Sequence, residues 1–135
     1  MAHWLLKSEP SVYSYDMLVS DGGTFWEGVR NYQARKNLKA MKKGDTAFIY
    51  HSNEDKQVIG TAQVTREAYP DPTDDTDEWV VVDIKPLKRL VSPVSLHQFK
   101  MDPVLKHSAL VRQSRLSVMP LDEAQAARIL SISKS

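Results

Sequence analysis

Short apolar runs separated by turn residues constrain the fold of this chain more than any other feature of its sequence. Five runs of apolar, β-branched or aromatic residues predict strands: 3–7, 45–52, 57–69, 79–84 and 116–119. Four segments with helical spacing of apolar residues or a capping serine predict helices: 14–18, 34–43, 95–101 and 122–132. Because the strands and helices do not alternate regularly, an α+β fold is favoured, with an antiparallel or mixed sheet that is curled or closed into a small barrel. Within the third run, Gly60 predicts a bulge or a close approach of another group.

The length and composition set the class of protein. The 135 residues suit one domain over 1–135, and no apolar run approaches the roughly 20 residues that span a bilayer. The apolar run among the first residues is too short for a signal peptide, which predicts a cytoplasmic protein with no membrane partner. Cysteine is absent and the four histidines are scattered, so a metal site, a thiolate nucleophile or a bound cofactor is not expected.

Charge is nearly balanced over the whole chain but not along it. Lys and Arg total 18 against 17 Asp and Glu, so a contact with nucleic acid should be local. Residues 30–43 carry six basic side chains and no acidic one, and the segment predicts a basic helix that faces phosphate groups. The residues expected to contact phosphate are Arg35, Lys36, Lys39, Lys42 and Lys43. The alternative is a helix face that is merely solvated.

Polar and aromatic residues gather at the ends of the predicted elements. They lie in 7–9, 26–33 and 50–52, whereas the usual enzyme motifs are absent. A planar base needs flat apolar faces for stacking and in-plane polar groups for its edge. The segments supply both kinds of group: Trp26, Tyr32 and Tyr50, with Ser8, Asn31 and Gln33. The alternative is that Trp4, Trp26 and Trp79 belong to the core and that Tyr50 and His51 only close a strand.

Three long motifs resemble the EVE domain. They are WLLKSEP at 4–10, WEGVRNYQAR at 26–35, and Gly44-Asp45 followed by FIYHS at 48–52. The similarity continues through 68–71, Trp79, 82–83, 116–118 and Pro120, so it spans nearly the whole chain. Lys36 departs from the asparagine that family members often carry, which puts the phosphate contacts in question.

The resemblance implies a PUA-like fold, a mixed and mainly antiparallel β-barrel flanked by helices, related to YTH domains that hold a methylated adenine in an aromatic cage. It also implies that the protein recognises a modified cytosine or adenine, in DNA, in RNA or as a free nucleoside, without catalysis. It assigns three groups of residues to the walls of a nucleobase pocket: Lys7, Ser8 and Glu9; Trp26, Val29, Arg30 and Asn31; Tyr50, His51 and Ser52. Trp26 is expected to stack on the base, and its replacement by alanine to abolish binding without unfolding the protein.

Three alternatives remain at this point. Related small barrels of the ASCH type include nucleoside amidohydrolases that use a lysine and an acid, and Lys7 with Glu9 could imitate that pair. Lys7 and Glu9 could instead form a structural ion pair. The aromatic residues could also bind a protein partner rather than a base.

Overall fold

The computed structural model describes residues 1–135 and arranges them as six strands with helices between and around them. The strands are β1 His3–Ser8, β2 Thr24–Phe25, β3 Thr46–His51, β4 Gln57–Pro70, β5 Val80–Ser95 and β6 Val118–Leu121. The helices are α1 Tyr15–Asp21, α2 Tyr32–Ala40, α3 Leu96–Met101, α4 Ala109–Arg112 and α5 Glu123–Ser133, with a 3₁₀ turn at Leu105–His107. None of these helices is long and apolar enough to cross a bilayer.

The six strands form one sheet in the order β2-β5-β4-β3-β1-β6. Only the β1–β3 pair is parallel, and the four other pairs are antiparallel. The predicted α+β class with a mixed, mainly antiparallel sheet is therefore confirmed. The sheet is not closed into a barrel, because β2 and β6 are its two edges and do not pair with each other.

The main differences from the sequence prediction lie in β5 and in the short helical turns after α3. β5 continues from Ile84 to Ser95, although Pro86 and Pro93 argue against a strand. The ladder with β4 absorbs Pro86, because its register shifts between Thr61 and Ala62, the residue that faces this proline. The short helical turns at 105–107 and 109–112 were not predicted, since three or four residues cannot display a helical period.

The capping residues explain where α2 begins and ends. Asn31 has an extended backbone, and its Oδ1 accepts a hydrogen bond from Ala34 N at 2.9 Å. The helix therefore starts at Tyr32, two residues before the predicted start. It ends at Ala40 because Met41 is already extended, so Lys42 and Lys43 lie beyond the helix.

One hydrophobic core lies between the sheet and its helices. It contains Trp4 and Trp26, whereas Trp79 is only partly buried and lies outside the cluster. The buried carboxylate of Asp45 accepts hydrogen bonds from Trp4 Nε1 at 2.9 Å and from Ala2 N at 3.2 Å, which ties β1 to the start of β3.

Gly60 is the place where α1 approaches the sheet. The register of β4 shifts beside Gly60, and the Tyr15 ring lies directly over this residue. Tyr15 is 2% exposed, and its hydroxyl donates to Thr61 O at 2.8 Å. The predicted bulge and the predicted close approach are both present.

Candidate functional site

A cleft with aromatic walls lies where β1 ends. We call it the aromatic cleft; its volume is about 330 Å³, within the usual size of small-ligand sites. It is lined by Lys7, Ser8, Val12, Tyr13, Thr24, Phe25, Trp26, Glu27 and Gly28. Of the predicted nucleobase-binding residues, the cleft therefore brings together Lys7, Ser8 and Trp26.

The turn after β1 forms one wall of this cleft. Ser8 Oγ donates to Tyr13 O at 2.6 Å, and the amides of Val12 and Tyr13 both donate to Glu9 O. These bonds fold residues 8–13 back on themselves and place Tyr13 at the cleft. The Tyr13 hydroxyl is held in turn by Asp21 Oδ2 at 2.7 Å, at the end of α1.

The segment that contains Trp26 forms another wall of the cleft. Trp26 N donates to Val82 O at 2.8 Å, which fixes the backbone against β5. The Trp26 ring meets the Tyr13 ring edge-on, with centroids 6.2 Å apart and planes at 82°. Trp26 is only 7% exposed and belongs to the core, whereas Phe25 is 37% exposed. Phe25 thus offers more free ring surface than Trp26.

Lys7 lies between this cleft and a neighbouring loop. Its Nζ donates to Ser114 O at 2.8 Å and lies 6.0 Å from the centroid of the Tyr50 ring. Burial lowers the pKa of Lys7 and raises that of Tyr50. No ion pair joins Lys7 to the exposed Glu9, so the ion-pair alternative is wrong.

The parallel pairing of β1 with β3 brings two predicted segments side by side. Lys7 faces Tyr50 and Ser8 faces His51 in the register, and Ser52 N donates to Ser8 O at 2.9 Å. Tyr50, His51 and Ser52 nevertheless do not line the aromatic cleft.

His51 is occupied within the fold. Its Nε2 accepts the Tyr15 amide at 3.0 Å, and its Nδ1 lies 3.1 Å from Asp55 Oδ2. An accepting Nε2 leaves the proton of Nδ1 facing Asp55, so the ring bridges α1 and the turn after β3. Both ring nitrogens are used, and His51 has no free group for a ligand.

Arg30 and Tyr32 lie in a different group, which we call the Trp79 stack. The Tyr32 and Trp79 rings stack with centroids 5.2 Å apart, and the Arg30 and Arg35 guanidinium groups lie 5.6 and 5.5 Å from the Trp79 ring. The Tyr32 hydroxyl donates to Glu78 Oε1 at 2.7 Å. These contacts hold the residues against the acidic loop before β5 and away from the aromatic cleft.

Asp71 anchors this loop. Its side chain is fully buried, accepts from Thr73 and pairs with Arg30 at 3.3 Å. Burial alone raises the pKa of Asp71, but the hydrogen bonds from Thr73 and the Arg30 charge outweigh burial and lower the pKa below its ordinary value. Arg30 is therefore committed to a buried carboxylate. Val29, also predicted for the pocket, is a buried core residue.

Asn31 and Gln33 line a second cleft of about 320 Å³, which we call the arginine cleft. Its other lining residues are Arg112, Gln113, Ser114, Arg115 and Leu116. This loop was not predicted because no periodicity marks it, and its only signal in the sequence is two arginines three residues apart. Six lining residues of the aromatic cleft were likewise not assigned to the site from the sequence: Val12, Tyr13, Thr24, Phe25, Glu27 and Gly28.

The predicted phosphate-contacting residues divide into two sets. Arg35 donates to Glu78 O at 2.8 Å and lies over the Tyr32 ring, so it belongs to the Trp79 stack. Lys36, Lys39, Lys42 and Lys43 are exposed. Their contact with phosphate stays a prediction.

Comparison with known proteins identifies relatives over the whole length. A family model described as the EVE domain matches residues 2–132, which confirms the resemblance noted in the sequence. Human thymocyte nuclear protein 1 is 34% identical, over 97% of this chain and 73% of its own length. A protein of Rhodopseudomonas palustris solved by NMR is 47% identical, with a TM-score of 0.94 over 99% of this chain and 94% of its own.

Two further solved structures share the fold. The human THYN1 protein, solved in complex with 5-methylcytosine-containing DNA, is 32% identical, with a TM-score of 0.90 over 100% of this chain and 99% of its own. An ASCH protein of Zymomonas mobilis is 13% identical, with a TM-score of 0.61 over 96% of this chain and 94% of its own. That second likeness shows a shared fold and no more.

Proposed function

The chain belongs to the EVE domain family, and on that premise we propose that it binds a nucleic acid by taking a modified base into the aromatic cleft. The observation that carries the proposal is the cleft itself, in which aromatic rings and polar side chains converge at the end of β1. The relative solved with 5-methylcytosine-containing DNA supports a methylated cytosine as the first base to test.

The polar groups of the cleft suit a base that carries an amino group. The Ser8 hydroxyl donates to Tyr13 O and keeps its lone pairs free to accept, and Glu27 is an exposed carboxylate that accepts only. Cytosine and adenine present exocyclic N–H donors, whereas thymine does not. Lys7 supplies a donor at the same cleft for a carbonyl or ring nitrogen of the base.

The aromatic walls set the scale of the binding energy. Stacking of one base on an aromatic side chain contributes about 1–3 kcal/mol, whereas burial of one added methyl group contributes about 0.8 kcal/mol, or roughly fourfold in affinity. Selectivity for a methylated base therefore depends on the placement of the base by the polar groups as well as on the contact with the methyl group.

The burial of Trp26 changes how stacking must be tested. Replacing a buried tryptophan with alanine costs about 3–5 kcal/mol, a large share of the 5–15 kcal/mol that stabilises a typical domain. Trp26→Ala is therefore expected to lose stability as well as the stacking contact, so it does not separate the two effects. Trp26→Phe, which keeps a ring in the core, and Phe25→Ala, at an exposed position, are better probes.

The test measures binding to short single- and double-stranded oligonucleotides that contain cytosine, 5-methylcytosine, adenine or a methylated adenine. Wild type should prefer one modified base, and Phe25→Ala should weaken that binding at least fivefold. Trp79→Phe is the matched control for Trp26→Phe, because it makes the same exchange in the Trp79 stack outside the cleft. The absence of any modified-base preference in wild type, with Phe25→Ala and Trp26→Phe unchanged, would refute the proposal.

The polymer and the location are also open to experiment. We propose DNA or RNA rather than a free nucleoside as the partner, because the related complex contains DNA. Competition with free 5-methylcytidine tests this choice, since a nucleoside reader would release its oligonucleotide. A cytoplasmic location stays a prediction.

An amidohydrolase is the second candidate function, and Lys7 is the observation that favours it. The side chain is half-buried at a cleft and its pKa is lowered by burial, as a lysine base requires. Lys7 donates to a backbone carbonyl, however, and Ser8 is turned towards Tyr13 O. We therefore propose a non-catalytic protein. Release of acid from an acylated cytidine by wild type and not by Lys7→Met would overturn that proposal.

A further inference from the structure

Lys7 joins the aromatic cleft to the arginine cleft. The residue lines the first cleft, and its Nζ donates at 2.8 Å to the carbonyl of Ser114, which lines the second. One lysine side chain therefore contacts lining residues of both clefts. This proximity points to the backbone of the same polymer as the occupant of the second cleft.

The arginine cleft is cationic and polar. Arg112 and Arg115 are exposed, and no acidic residue is among the seven that line the cleft. The side chains of Asn31, Gln33 and Gln113 add amide donors. Leu116 is the only apolar residue of the lining.

These two arginines differ from most others in the protein because their charge is not neutralised. Carboxylates pair with Arg30, Arg89 and Arg128. Arg112 instead lies 3.4 Å from His107 Nδ1, and no ion pair involves Arg115. Their guanidinium groups are thus free to bind an anion.

We propose that the arginine cleft binds the phosphodiester backbone next to the base held in the aromatic cleft. The inference rests on the proposed function and adds a separate site to it. Guanidinium groups form paired hydrogen bonds with phosphate oxygens, and amide side chains donate to phosphate and sugar oxygens. The principal phosphate contacts therefore lie at residues 112–116, between the end of α4 and the start of β6, rather than at the lysines of α2.

The test is the salt dependence of oligonucleotide binding by Arg112→Ala/Arg115→Ala. Each phosphate contact contributes about 0.9 to the slope of log K against log salt on duplex DNA and about 0.7 on single strands. The slope for the double variant should therefore be smaller in magnitude by about 1.8 on duplex DNA and by about 1.4 on single strands. Its preference for modified over unmodified base should stay unchanged, because the aromatic cleft is intact.

Two double variants with the same loss of charge serve as comparisons. Lys88→Ala/Lys100→Ala removes two exposed lysines that line neither cleft, and it should leave the slope unchanged. Lys36→Ala/Lys39→Ala removes two exposed lysines of α2, and it should lower the slope less than the arginine pair does. Thermal unfolding of each variant shows whether the fold is kept, as the exposure of all six side chains predicts.

The outcomes separate the two proposals. A wild-type slope in the arginine variant, with base preference intact, refutes the arginine cleft and leaves the aromatic cleft standing. If the α2 variant loses as much of the salt slope as the arginine variant, or more, the contacts with the nucleic-acid backbone belong to α2 and the inference is refuted. If wild type binds DNA without any base preference but loses slope with the arginines, the aromatic cleft fails and the arginine cleft is retained as a phosphate site.

Discussion

Replacing Gly60 with alanine tests the packing of α1 on the sheet. A Cβ at this position would lie 2.5 Å from Cζ, 2.7 Å from Cε1 and 2.9 Å from Cε2 of Tyr15. Carbon atoms pack at about 3.5–4.0 Å, so the ring must move by roughly 1 Å. The ring is held by its hydroxyl bond to Thr61 O, and the Tyr15 amide is held by His51 Nε2.

The expected loss of stability follows from two costs and one opposing gain. Overpacking a tight core costs about 1–3 kcal/mol, and the displaced tyrosine weakens a hydrogen bond whose net contribution is about 0.5–1.5 kcal/mol. Alanine gains about 0.5–1 kcal/mol over glycine through lower chain entropy. We expect a net destabilisation of about 1–3 kcal/mol, or a fall in Tm of roughly 3–12 °C for a chain of this size.

A double-mutant cycle isolates the contact. In a Tyr15→Leu background the obstructing ring is gone, so Gly60→Ala should then cost at least about 1 kcal/mol less than in wild type. Gly28→Ala is the control: Gly28 has φ 80° with open space around the added Cβ, so its penalty comes from backbone strain and should be the same in both backgrounds. Urea unfolding of the six proteins gives every value. An undiminished penalty for Gly60→Ala in Tyr15→Leu would refute the steric reasoning.

Two further predictions concern a helix cap and a buried carboxylate. Asn31→Ala should destabilise the protein by about 1 kcal/mol through loss of the α2 cap, whereas Asn31→Asp should keep stability in thermal unfolding but weaken oligonucleotide binding, because it puts a negative charge in the arginine cleft. Burial raises the pKa of Asp102, but hydrogen bonds from Arg128 and from two backbone amides outweigh burial and lower the pKa below 3.8. The ionised carboxylate therefore contributes its full stabilisation of the fold above about pH 4, and this contribution is lost as the pH falls through the folded pKa. Asp102→Asn should therefore be less stable than wild type in urea at pH 7, with a gap that narrows by pH 3; a constant gap contradicts this assignment.

The clearest patterns in the sequence predicted which segments form strands and helices, but not which strands pair with each other. The alternating run at 45–52 became β3, and the basic helical pattern became α2. The full length of β5 was hidden because its prolines are read as strand breakers, and only the pairing with β4 shows that a bulge accommodates Pro86. Such accommodation depends on a strand far away in sequence and leaves no local pattern.

The candidate site was also predictable only in part. The clustering of polar residues at element ends located Lys7, Ser8 and Trp26 correctly at one cleft. The segment 26–33, however, is divided among three surfaces. Gly28, with φ 80°, turns the chain after Trp26, and the cap at Asn31 then starts a helix whose successive side chains point to different sides. Residues that are neighbours in the sequence therefore lie on three different surfaces, namely the aromatic cleft, the Trp79 stack and the arginine cleft.

The hydrogen bond from Lys7 to Ser114 also has a consequence during synthesis of the protein. Its partners are 107 residues apart, so a ribosome that adds about 5–20 residues per second makes Lys7 about 5–20 s before Ser114 exists. During that interval β1 also lacks β6, its neighbour on one side. The junction between the two clefts is thus among the last parts of the molecule to form, and a nascent chain that has already made β1 to β5 still lacks the arginine cleft.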